Sequence, residues 1–159
     1  VTSMAGKGND KDFRHRAGLV VQGAFRYLHA DAAGGEHVVG YAFAGEFVGD
    51  YISMCVDSPS QVTIEAMCGA AALVVTGGRL EAFYCTDAAH ERLGRTMAEH
   101  MLAEVYERLL ERYAASPQQR YEALLERCPD LLQMVSLREL ASSLGVRPET
   151  LSRIRGRIC

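Results

Sequence analysis

One Pro-free stretch, from about Ala88 to Ala114, limits what this chain can fold into more than any other part of it. Its 27 residues, with HERLGRTMAEHMLAEVYERLLERYA at their centre, make an α-helix about 40 Å long. Leu93, Met97, Met101, Val105 and Leu109 recur at steps of four, and Leu102, Tyr106 and Tyr113 widen the stripe. Such a stripe needs a partner surface. Only some 86 residues precede it, too few to cover a rod of this length. The pattern therefore predicts a seam between two copies of the chain; packing against the chain's own domain is the alternative.

Upstream the text is different. From Ala17 to Thr76 it is rich in Val, Ala, Phe and Tyr, with Gly and polar turns at roughly 8–12-residue intervals, the mark of an antiparallel β domain. Leu19–His29, Glu36–Ala44, Gln61–Cys68 and Ala70–Thr76 are strand-like, and residues 31–35 (DAAGG) read as a hairpin turn. Alternation places Val39, Tyr41 and Phe43 on one face and Gly40 and Ala42 on the other. Gly77-Gly78 reads as a further turn.

Downstream, three short helices carry start signals. Ser116, Pro117 and Gln119 supply an N-cap, a first-turn proline and a capping-box partner, and Pro129 stops that helix after Cys128. Ser136 with Glu139 repeats the box, and Pro148 opens a last helix to about Arg157. The expected class is α+β: a jelly-roll-like antiparallel β-roll over 1–86, a long helix over 87–115 and a helix-turn-helix domain over 116–159.

Composition narrows the function. With 48% hydrophobic and 23% charged residues, the 159-residue chain can bury a real core. A net charge of -3 argues against non-specific coating of nucleic acid or anionic membrane. The longest apolar run, Ala70–Val75, falls far short of the roughly 20 residues that span a bilayer. The five Cys show no CxxC spacing, and no secretory leader is visible, which reads as reduced thiols in the cytoplasm.

The most specific signal is LRELASSLGVRPETLSRIR, residues 137–155. Ala141, Gly145 and Leu151 follow Leu137 at the spacing of two closely crossing helices. Ala lies under the crossing, Gly takes a positive φ in the turn, and Leu140, Leu144, Val146, Leu151 and Ile154 fill the wedge. Outward, Arg147, Glu149, Thr150, Ser152, Arg153 and Arg155 are side chains that reach base edges or phosphates; Arg suits guanine O6 and N7, and Glu accepts from cytosine N4. Residues 137–159 hold five Arg against two Glu, a local excess of positive charge in an acidic chain.

The order of β domain, long helix and terminal helix-turn-helix resembles the Crp/Fnr superfamily of bacterial transcription regulators, from about Lys7 to Ile158. GAFRYLHADAAGGEHVVGYAFAGEFVGDYISM is similar to that family's cyclic-nucleotide-binding-like β-roll, and RPETLSRIR to its recognition helix. The resemblance implies a homodimer through 88–114, double-stranded DNA as partner, a small effector in the β-roll and no catalysis. It places the base-contacting Glu and Arg at Glu149 and Arg153. Pro148 stands where the family often has another Arg or Ser, so that contact moves to Arg147 or is lost. The effector site falls on Gly49, Asp50, Tyr51, Ser60 and Gln61.

Two departures bear on the effector. Gly49-Asp50 replaces the family's Gly-Glu pair, and Ser60 takes the place of the Arg that pairs with a cyclic phosphate, so cyclic AMP is not the expected ligand. Amides around Gly49 and the Ser60 hydroxyl remain for a weaker anion. The β-roll also starts late relative to the family, so an incomplete roll with an open edge is expected.

Other signals are weaker. His29, His37 and Glu36 on adjoining strands suit a cupin-like metal enzyme with a helical tail, the rival reading; exposed or turn histidines are the plainer one. A helical module that binds something other than DNA is the third. Of the Cys, only Cys128 and Cys159 have Arg neighbours, and most read as small core residues. Neither a cofactor nor a metal is expected, and little follows Ile154 to form a β wing.

Overall fold

The computed structural model describes residues 2–5, 15–56, 58–67 and 69–158; Lys7, Cys68 and Cys159 lie outside these. Its strands are β1 (Thr2–Ala5), β2 (Arg16–Gln22), β3 (Ala24–Ala30), β4 (Glu36–Phe43), β5 (Phe47–Gly49), β6 (Thr63–Ala66) and β7 (Ala71–Thr76). They form two antiparallel sheets, ordered β1-β7-β2-β5 and β4-β3-β6. Between the sheets Val20, Phe25, Ala42, Val48, Ile64, Ala72 and Val74 form the core of the roll. The helices are α1 (Tyr51–Val56), α2 (Gly77–Tyr84), α3 (Ala88–Ala114), α4 (Pro117–Arg127), α5 (Leu131–Met134), α6 (Leu137–Ser143) and α7 (Pro148–Ile158).

Four expectations change. The single strand expected over Leu19–His29 is two strands in different sheets, because Gly23 turns the chain at φ +69 where a Cβ would sit 2.8 Å from the Ala70 Cα. The expected alternation along β4 fails at Val39. The ladder steps from Tyr27↔Gly40 to Leu28↔Val38, leaving Val39 as the extra residue of a bulge. Val38 consequently joins Tyr41 and Phe43 in a second core, and Val39 is exposed. Gly77 and Gly78 start α2 rather than a turn; a Cβ on Gly77 would meet Met54 Cγ at 2.8 Å. Finally, Cys55 and Cys85 are exposed thiols rather than core residues.

Capping accounts for the remaining boundaries. Asp87 accepts from the Ala89 and His90 amides to open α3, and Ser116 with Gln119 forms the complete capping box of α4. Gly94 is the one glycine inside α3, and a Cβ there would lie 2.8 Å from the Tyr84 ring, so its absence lets α2 pack against the rod. No residue of α3 is buried, and the described residues leave Leu102 69% and Tyr113 83% exposed.

The second core joins the two ends of the chain. Ala24, Leu28, Val38, Tyr41, Phe43 and Met67 of the roll pack with Tyr121, Leu131, Leu140, Ala141, Leu144, Leu151 and Ile154 of the helical end. The three-stranded sheet is thus covered on both faces. One face meets the other sheet and the other meets α6.

Candidate nucleic-acid interface and effector cleft

The helix-turn-helix is built as its spacing requires. Ala141 is fully buried at the crossing of α6 and α7, Gly145 takes φ +66 in the turn, and the Val146 amide donates to the Ala141 carbonyl at 2.9 Å. Leu151, 0% exposed, and Ile154 anchor α7 in the core. Those two residues fix which face points outward. Arg147, Glu149, Thr150, Ser152, Arg153 and Arg155 are all exposed, and among the described residues none of these three Arg enters an ion pair. Guanidinium groups in that state are available to an incoming anion.

Other Arg residues are committed to holding the helical end in place. Arg26 on β3 binds Glu65 at 2.7 Å and reaches Glu139 of α6 at 3.0 Å. Arg127 of α4 makes a forked pair with Glu46 at 2.9 and 2.8 Å while its guanidinium lies 4.9 Å above the Phe43 ring. Burial pushes the Glu46 carboxyl upward, but the Arg127 hydrogen bonds and the Phe43 amide outweigh it and hold it below its ordinary value. Arg120 donates to the carbonyls of Arg112, Ala115 and Leu144, tying the end of α3 to the end of α6.

This seam recruits Glu139. Ser136 caps α6 through the Glu139 amide, but the Glu139 carboxylate turns to Arg26 instead of closing the expected capping box. That carboxylate also lies beside the Tyr41 hydroxyl, as does Ser143, and burial pushes the Tyr41 phenol up to about 12. Sequence reasoning missed the pairs of Arg26 with Glu139 and Arg127 with Glu46 because partners so far apart in the chain carry no local pattern.

The expected effector residues separate into two groups. Asp50 and Gln61 line a cleft of about 260 Å³ beside α1, together with the unforeseen apolar residues Val39, Ile52, Pro59 and Val62. Gly49, Tyr51 and Ser60 are not in its lining. The Gly49 amide donates to the Tyr27 hydroxyl at 3.2 Å, and a Cβ there would come within 2.7 Å of the Arg16 carbonyl oxygen, so this glycine serves strand packing. The Ser60 hydroxyl donates to the Val62 carbonyl at 2.6 Å and accepts from the Val62 amide. Neither is free for the anion expected above.

The histidines are similarly placed. His29 and His37 are direct cross-strand partners, but His29 Nδ1 donates to the Gln61 carbonyl at 2.8 Å and His37 Nε2 pairs with Asp31 at 2.7 Å. Among the described residues no three His, Cys, Asp or Glu side chains converge as metal ligands. Arg127 turns to Glu46 rather than to Cys128, and burial pushes the Cys128 thiol up, away from the reactive thiolate.

No sequence-family profile and no curated protein sequence matches the chain. Solved structures do. FixK2 from Bradyrhizobium japonicum superposes with a TM-score of 0.71 at 20% identity, over 98% of this chain and 84% of its own. A crp/fnr family transcriptional regulator from Eubacterium rectale gives 0.67 at 15% identity, over 99% and 77%. The chain has the Crp/Fnr fold. CLP, the c-di-GMP responsive global regulator of Xanthomonas campestris, shares that fold at 0.63 and 17% identity, over 99% and 84%. Like the roll, rod and terminal head read from sequence, the Crp/Fnr arrangement runs through nearly the whole chain. No described helix is long and apolar enough to cross a membrane.

Proposed function

We propose that this chain is a sequence-specific DNA-binding transcriptional regulator that acts as a homodimer and answers to a small effector in the β-roll. The observation that carries this is α7: Leu151 and Ile154 root it, and the opposite face offers Arg147, Glu149, Thr150, Ser152, Arg153 and Arg155 to solvent. Glu149 and Arg153 read base edges; Arg147, Arg155 and the hydroxyls position the helix on phosphates. Pairing of two chains along α3 covers Leu102, Val105, Tyr106, Leu109 and Tyr113, all exposed in one chain. The reading needs no catalytic step.

Control runs through β4. Its Val39 lines the cleft while Tyr41 and Phe43 on the same strand pack against the helical end. A ligand that prefers one setting of the bulge shifts the population of one docking of α6, and with it the presentation of the two Arg153 side chains. Selection of duplexes from a random pool tests the core of the proposal. Recovered sites should contain two related half-sites about 34 Å apart, with affinity falling steeply as salt rises. A chain that retains no duplex even at low salt, or recovers no shared sequence, is not this kind of regulator.

A further inference from the structure

Resting on the reading of the cleft beside α1 as the effector site, we infer that it takes a compact organic ammonium compound with an apolar body, not an anionic nucleotide. Asp50 carries the argument. It is 9% exposed, its Oδ1 accepts from the Ser53 amide at 3.2 Å as the cap of α1, and its Oδ2 is buried with no hydrogen-bond partner. A buried carboxylate oxygen without a donor is costly, and a cationic donor from a ligand relieves that cost. The cap needs only one oxygen. The second is left over, on a residue that lines the cleft.

The other lining groups point the same way. His29 Nδ1 must carry a proton to face the Gln61 carbonyl oxygen at 2.8 Å, so in the neutral ring Nε2 is an acceptor. Among the described residues no Arg or Lys lines the cleft, so a phosphate finds no charged partner among them. The remaining described residues of the wall are Val39, Ile52, Pro59 and Val62, which suit a small hydrocarbon or aromatic body. At about 260 Å³ the space lies below the roughly 300–1,000 Å³ of sites for drug-sized ligands, so the molecule is small.

Calorimetric titration of the full chain with benzylamine, benzyl alcohol, benzoate and cyclic AMP tests this. Benzylamine should bind tightest, and Asp50→Asn should weaken it by about tenfold or more, because Asn keeps the cap but not the charge. Val39→Trp, at a half-exposed position, should block the cleft and abolish binding while the chain stays folded by circular dichroism. Equal or tighter binding of benzyl alcohol, benzoate or cyclic AMP overturns the assignment, as does unchanged benzylamine affinity in Asp50→Asn. Duplex retention is measured on the same samples. Absence of benzylamine binding at millimolar concentration with duplex retention intact sinks the ligand class alone; absence of duplex retention both with and without benzylamine, while benzylamine still binds, sinks the regulator and leaves the ligand class standing.

Discussion

The rod α3 and the head formed by α6 and α7 both carry apolar stripes that repeat at helical spacing, yet only the head's stripe is covered within the chain. Leu140, Leu151 and Ile154 disappear into a core shared with the β-roll, whereas Leu102, Val105, Tyr106 and Leu109 face solvent along the rod. A stripe therefore marks a surface that requires cover without saying whose. In the head the cover is intramolecular and stabilises the fold. Along the rod the proposed cover is a second chain, which would turn the same chemistry into assembly.

Breaking each stripe separates the two cases. Val105→Glu with Leu109→Glu puts four carboxylates into a two-chain seam, and sedimentation should show the dimer weakened by more than about a thousandfold with the monomer's fold unchanged. Unchanged mass would mean that the rod is covered in some other way. Leu151→Ala should lower the unfolding free energy by about 2–5 kcal/mol in denaturant titrations, since the site is fully buried. Arg153→Ala leaves the fold alone and should cost about 1–3 kcal/mol of duplex binding at one base position; an equal loss on every sequence would assign the side chain to phosphate.

The smallest expected effect is at the seam between head and roll. Glu46 titrates below its ordinary 4.5 in the folded chain, so the stability it adds is complete above that value and fades as the pH falls through its lowered folded pKa. Glu46→Gln should remove this part of the acid dependence, at a cost below about 1 kcal/mol near neutral pH because the pair is partly solvated. A wild-type acid profile in that variant would show that the Arg127 pair contributes nothing.

The head and rod were the most legible parts of the sequence, for a physical reason. Ser116, Ser136, Pro148 and Gly145 act within one turn of themselves, so their roles follow from neighbours in the chain. The β-roll was readable as a class but not in its joints. Gly23 and Gly77 are decided by Ala70 and Met54, distant in sequence, and the Val39 bulge by a partner strand. The candidate effector cleft was legible only in part. Asp50 was found through the resemblance, at the place of the family's Gly-Glu pair, while Val39, Pro59 and His29 reach the cleft only after the sheets have paired.

Arg120 has a mechanical consequence. A single guanidinium grips carbonyls of residues 112, 115 and 144, so the rod and the head are pinned at the knee between them. Relative motion of rod and head must break those bonds first, whereas the head meets the roll through the side-chain contact of Glu139 with Tyr41 and Arg26. In the proposed regulator, a joint of this kind would leave little of an effector's binding energy to be spent on bending the molecule itself.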